Sequence, residues 1–166
     1  MKLLNSNLVR NFVFGVEDSL VSTIGLVSGI AIVGTARSTV LLTGIILIAV
    51  EAFSMAVGTL LSDNSATEFR RRTNVSFSKS IFSSLVMFVS YIGAGILVIL
   101  PYLFFDTPSA FPLSVILSMI AMFVLGVLSA IISGLPLLKK GLIMMMIGGV
   151  AIIIGIGVGS LVNMHL

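Results

Sequence analysis

Three carboxylates stand where a charge is costly. Glu17 and Asp18 lie in one long apolar stretch and Glu51 in the next. No Lys, Arg or His falls in any such stretch, so these acids have no basic partner at their own depth. An ionised side chain at the centre of a bilayer costs about 2.5–3.5 kcal/mol on insertion scales. Protonation, a bound cation, water or backbone amides are the remaining sources of relief. Groups that must hold either a proton or a cation are what proton-coupled cation transport requires. Met55 follows Glu51 by one helical turn, on the same face. A hard oxygen beside a soft thioether suits a borderline divalent transition metal better than Mg²⁺ or Ca²⁺.

The elements that carry these residues are membrane spans. The chain has 166 residues, 58% of them hydrophobic and 9% charged. Soluble domains run about 45–50% apolar and about 25% charged. The solvent is therefore lipid. Five segments reach the roughly 20 apolar residues that a span needs: 12–34, 39–61, 80–104, 112–135 and 141–164. The expected fold is a single all-α integral membrane domain of five transmembrane helices. Connections 35–38, 62–79, 105–111 and 136–140 are short, and only the second has room for structure of its own. Pro101 near the end of the third span and Pro112 at the start of the fourth suit boundary positions. The first span is no cleavable signal, since it is long and holds two acids. There is no cysteine and a single histidine, His165. Thiolate and histidine metal clusters are excluded, no resident cofactor is expected, and the chain has no room for a soluble catalytic domain. An enzyme is not expected, nor a nucleic-acid partner.

Placement of basic residues sets the orientation. With the N-terminus in the cytoplasm, eight of the nine Lys and Arg fall inside and Arg37 alone falls outside. The C-terminus is then outside, and the Asn-Val-Ser sequon at 74–76 faces the cytoplasm, unglycosylated. On this frame Asp18 and Met55 lie about 9 Å from the cytoplasmic edge, and Glu51 about 15 Å in, near the midplane. Glu17 points about 100° away from Asp18. Gly25 and Gly29, and again Gly155 and Gly159, have the four-residue spacing of close helix contacts in lipid. Five spans leave no simple inverted repeat, so a C2 homodimer is the expected assembly.

The first-span sequence Gly15-Val16-Glu17-Asp18-Ser19-Leu20-Val21-Ser22-Thr23 resembles the Gly-x-Asn-Asp-Gly-x-Val-Ser/Thr-Thr pattern of the vacuolar iron transporter family. Ser54-Met55-Ala56-Val57-Gly58, followed by Ser62, is similar to that family's Ser-Met-Ala-x-Gly-Glu-x-x-Ser. Leu100-Pro101-Tyr102-Leu103 matches the end of its third helix. The resemblance implies a dimeric, proton-coupled exporter of Fe²⁺, and often Mn²⁺, from the cytoplasm. It implies that Asp18 and Met55 line a pathway at the dimer interface. Glu51 joins them as a candidate ligand, and Glu17, Ser22, Asp63 and Glu68 as candidates along the pathway or at its entrance.

The chain departs from the family pattern at Glu17 for Asn, Ser19 for Gly and Thr59 for Glu. It also lacks the long cytoplasmic metal-collecting domain between the second and third spans. Two other readings stay open: a non-transporting interaction protein that kept the fold, and a proton-coupled exporter of another cation. With no Trp, and Tyr91 and Tyr102 as the two tyrosines, an aromatic cage for an organic cation is poorly supplied. The expected location is the plasma membrane in a prokaryote or the vacuolar membrane in a eukaryote.

Overall fold

The computed structural model describes residues 2–72 and 78–165. The sequon at 74–76 lies outside them. The described residues form five helices and no strand: α1 Lys2–Ala31, α2 Arg37–Arg71, α3 Ser78–Phe104, α4 Thr107–Ser133 and α5 Leu137–His165. Each is long and apolar enough to cross a bilayer. Helices are the form an isolated span must take, because lipid offers no partner for a free backbone N–H or C=O.

The helices alternate in direction, so α1, α3 and α5 run the same way. Arg10, Asp63 and Ser83 gather at one end of the bundle, here the near end. Arg37 and Asp106 meet at the far end. There Thr107 Oγ1 donates to the Thr35 carbonyl at 3.0 Å, tying two connections together.

α1 sits at the centre and packs on all four other helices. α2 leans mainly on α3, while α4 and α5 pair on the opposite flank. Leu20 and Ile24 of α1 are buried among Ala94, Val98, Met122 and Leu125. Towards the far end a second cluster gathers Val27, Ala31, Val40 and Ile48 around Tyr102. The outward faces remain apolar, with Val50 and Phe53 on α2 and Ile153 and Ile154 on α5 exposed to lipid.

Two helices outrun their apolar stretches. α1 begins at Lys2, well before residue 12, and α2 continues to Arg71, past residue 61. Hydropathy marks where the lipid-facing stretch stops, but neither extension contains the Gly or Pro that would stop the helix. α4 opens earlier than residue 112. Its N-cap position is Asp106, and Pro108 rather than Pro112 occupies the opening turn. The missing N–H of Pro108 has no helical partner to lose there. Pro112 and Pro101 both lie inside their helices.

The two glycine pairs meet each other. A Cβ on Gly155 would collide with the Gly25 carbonyl oxygen, and one on Gly159 with that of Gly29. A Cβ on Gly29 would come within 2.7 Å of the Gly155 oxygen. The parallel helices α1 and α5 therefore touch backbone to backbone, at a separation no larger residue permits.

Candidate functional site

The near half of α1 is polar where it faces α3. Asn11, Gly15, Ser19 and Thr23 recur every four residues and all are buried. Helical geometry sets them on one stripe. Ser19, which stands where the family pattern has Gly, donates its hydroxyl to the Tyr91 carbonyl at 2.7 Å. The Tyr91 phenol and the Ser22 hydroxyl share a hydrogen bond of 2.8 Å. Tyr91 is fully buried, so α3 grips α1 on both sides of the turn that carries Asp18.

Asp18 itself is half-buried, as are Glu17, Glu51 and Met55. Glu51 and Met55 lie on α2 between its α3-facing stripe of Gly44, Ile48, Ala52 and Thr59 and its lipid-facing residues Val50, Phe53 and Val57. The carboxylates of Asp18 and Glu51 come close enough for their charges to act on each other. The Tyr91 phenol stands in the field of both. Among the described residues, Glu17, Asp18 and Glu51 have no hydrogen-bond or ion-pair partner. Two carboxylates from neighbouring helices thus converge beside one buried phenol, with no positive side chain to neutralise them.

Among the described residues, no three His, Cys, Asp or Glu side chains converge as a metal cage. Asp18 and Glu51 are a pair rather than a cluster, with Met55 one turn from Glu51.

Glu17 faces elsewhere. It lines a cavity of about 720 Å³ at the near end, together with Arg10, Thr59, Ser62, Met87 and Ser133. Two of the departures from the family pattern share this cavity, Glu17 for Asn and Thr59 for Glu. The cavity keeps one carboxylate from this pair of positions, carried on α1 instead of α2. Ser22 borders a second cavity, about 730 Å³, between α1 and α5 along the glycine contact.

Asp63 and Glu68 are engaged. Asp63 pairs with Arg10 at 2.9 Å and accepts from Ser83 at 2.9 Å. Asn11 donates in turn to Ser83 at 2.5 Å. The chain of bonds pins α1, α2 and α3 together at the near end, and it leaves the Asp63 side chain only 13% exposed. Asp63 is thus a structural tie, its charge answered by Arg10. Glu68 accepts from Asn64 at 3.1 Å and its carbonyl holds the cap of α2.

Tyr91 and the Arg10–Asn11–Ser83 network were not singled out by sequence. Tyr91 is a polar tip in an apolar span, and such a tip needs a buried partner. That signal was present, but the identity of the partner was not.

Five membrane helices, two of them carrying carboxylates without a basic partner among the described residues, define a multi-pass membrane protein with ionisable groups within its spans, a hallmark of ion pathways. A family model described as the VIT family matches residues 9–82 and 72–160. The chain belongs to the VIT family, and membrane transport of metal ions is the activity that membership indicates. No curated protein matches it.

Proposed function

We propose that the protein is a homodimeric exporter of divalent transition metal, Fe²⁺ and also Mn²⁺, driven by counter-movement of protons. The observation that carries this reading is the convergence of Asp18 and Glu51 from two helices with no basic partner. Like charges so placed repel, and a divalent cation or a proton relieves them. Met55 adds a soft donor that favours Fe²⁺ over Mg²⁺, while the carboxylates also suit Mn²⁺.

The near end is assigned to the cytoplasm, because it gathers eight of the nine basic residues. Metal enters the Glu17 cavity there, where hydroxyls of Thr59, Ser62 and Ser133 replace part of its water. It then meets Asp18 and Met55 and passes Glu51 near the midplane. The donors of one chain are too few for a closed coordination shell, and Glu51 and Met55 border the lipid-facing side of α2. A second copy seated against that side completes the shell with its own donors. Protons arriving from the far end neutralise the carboxylates and release the ion. Both tyrosines are fully buried, so neither ring face is open to cage an organic cation.

The test is uptake of Fe²⁺ and Mn²⁺ into proteoliposomes with an internal metal dye, with and without a pH gradient. Wild-type uptake should follow the gradient and slow as the loading side is acidified, because a protonated carboxyl cannot ligate. Asp18→Asn should abolish uptake while still inserting and dimerising. Normal uptake by that variant would sink the mechanism, and no uptake by the wild type would sink the transport reading.

A further inference from the structure

The cavity that holds Glu17 carries an opposing charge at its mouth. Ser6, Val9, Arg10, Val13 and Glu17 all line it, and their spacings of three and four residues place them on one face of α1. Ser6 and Arg10 are exposed and Glu17 is half-buried. The cavity therefore opens past Arg10 and leads to Glu17, two turns and about 10 Å further in. Among the described residues, Arg10 is the one basic residue that lines it. Basic residues at this end set the orientation of the chain, yet a guanidinium at this mouth repels the very ion proposed to enter there.

Arg10 is held in a closed ring of hydrogen bonds. Its Nη2 donates to Oδ1 of Asp63 at 2.9 Å, and its Nε donates to Oδ1 of Asn11 at 3.2 Å. The Ser83 hydroxyl donates to Oδ2 of Asp63 at 2.9 Å, and the Asn11 amide donates to Ser83. The guanidinium is thus fixed through two of its nitrogens, against the entropy of a long side chain that is 61% exposed. Orientation in the membrane needs the charge of an arginine but not a fixed position for it. Tying α1 to α2 accounts for the bond to Asp63. It does not account for the bond to Asn11, a neighbour on the same helix, which adds no tie between helices. That second bond serves to aim the guanidinium at Asp63. Glu17, on the same face of α1, has no hydrogen-bond or ion-pair partner among the described residues.

From this arrangement we infer that Asp63 is a positioning residue for metal entry: it neutralises Arg10 and holds it off Glu17, so that the cavity offers a divalent cation an unopposed carboxylate. With Asp63 in place, the charges of the mouth cancel and Glu17 gives the cavity its sign. Without Asp63, the freed guanidinium cancels Glu17 instead. Asp63 does this through Arg10 and does not touch the ion. The inference rests on the reading of this cavity as the metal entrance.

The test is Mn²⁺ binding to the full-length protein in detergent, followed by the loss of the free-ion EPR signal. Asp18→Asn and Glu51→Gln form the parent background, so that the Glu17 cavity is read by itself. Adding Glu17→Gln should abolish binding. Adding Asp63→Asn instead should weaken it about fourfold, the factor for a unit charge and a divalent ion about 10 Å apart in water. Arg10→Gln on top of Asp63→Asn should restore the parent affinity, although the bridge is then gone altogether. A double variant as weak as Asp63→Asn would overturn the inference, because loss of the helix tie would be the cause. Binding that needs Glu17 but is indifferent to Asp63 would overturn the inference and leave the entrance reading standing. Binding that survives Glu17→Gln would overturn both. If Asp63→Asn aggregates, Arg10→Gln and the double variant carry the same comparison. Each should bind Mn²⁺ at least as tightly as the parent, and weaker binding by either would overturn the inference.

Discussion

The two halves of α1 are held in opposite ways. In the near half, side chains do the work: Asn11, Ser19 and Ser22 reach Ser83 and Tyr91 through hydrogen bonds. In the far half Gly25 and Gly29 rest on the backbone of α5, and Val27 and Ala31 pack into the cluster around Tyr102 without hydrogen bonds. Hydrogen bonds between hydroxyls can be exchanged for water or a metal ligand at small net cost. A backbone contact at glycine has no alternative arrangement. The half of α1 that bears the carboxylates is therefore adjustable, and the other half is a fixed bearing. An ion pathway needs both, since the donors must rearrange while the helix stays in place.

The largest effect should come from breaking the bearing. Gly155→Leu drives a side chain into the Gly25 carbonyl. Overpacking costs about 1–3 kcal/mol where side chains can shift, and more where only backbone is available. The variant should yield no monodisperse protein on size-exclusion chromatography. Gly157→Ala, one turn-face away with open space around it, should melt like the wild type.

Next comes the cavity carboxylate. Glu17→Asn should cut metal uptake severely, and adding Thr59→Glu should restore most of it. If the double variant is as inactive as the single one, the two positions do not serve one cavity. Tyr91→Phe should be milder. It removes one buried hydrogen bond, worth about 1 kcal/mol, and with it the constraint on the Asp18 turn. Uptake should fall severalfold and its pH profile should move, with little change in melting temperature. A lower melting temperature with an unmoved pH profile would reduce Tyr91 to a packing role.

The smallest effects distinguish the two ends. Asp63→Asn weakens a networked and mostly buried pair, and should cost about 1–2 kcal/mol after allowance for the exposure of Arg10. Asp106→Asn breaks a pair stretched to 4.0 Å with its carboxylate 91% exposed. It should cost less than about 0.5 kcal/mol. Thermal melting of the two variants side by side checks the contrast.

Much of this was legible in the residues, and the gaps have physical causes. Five spans follow from apolar length alone, because lipid tolerates little else. Asp18 and Glu51 stood out because a charge in hydrocarbon is rare. The glycine pairs were visible as motifs, yet nothing in them names a partner helix, and the contact of α1 with α5 came from the structure. Tyr91 was missed for a similar reason. Ser80, Ser83, Ser84 and Ser90 of α3 lie on the same buried face as Tyr91, so small polar residues marked the face but did not name the helix it meets. The pairing of Asp63 with Arg10 was not legible, because the two are 53 residues apart in the chain. A solvated extension of α2 over Asp63 and Glu68 was legible from the polar residues after the span, whereas the early start of α1 was not, because hydropathy measures lipid contact and not helix length.

The contact between the first helix and the last also bears on how the protein is made. Three helices are synthesised between α1 and α5, so the glycine face of α1 waits for a surface that is made later. Until α5 is inserted, α1 is held by α3, α4 and α2 while its glycine face has no partner. A chain that stalls after α4 leaves the Gly25 and Gly29 backbone bare to lipid.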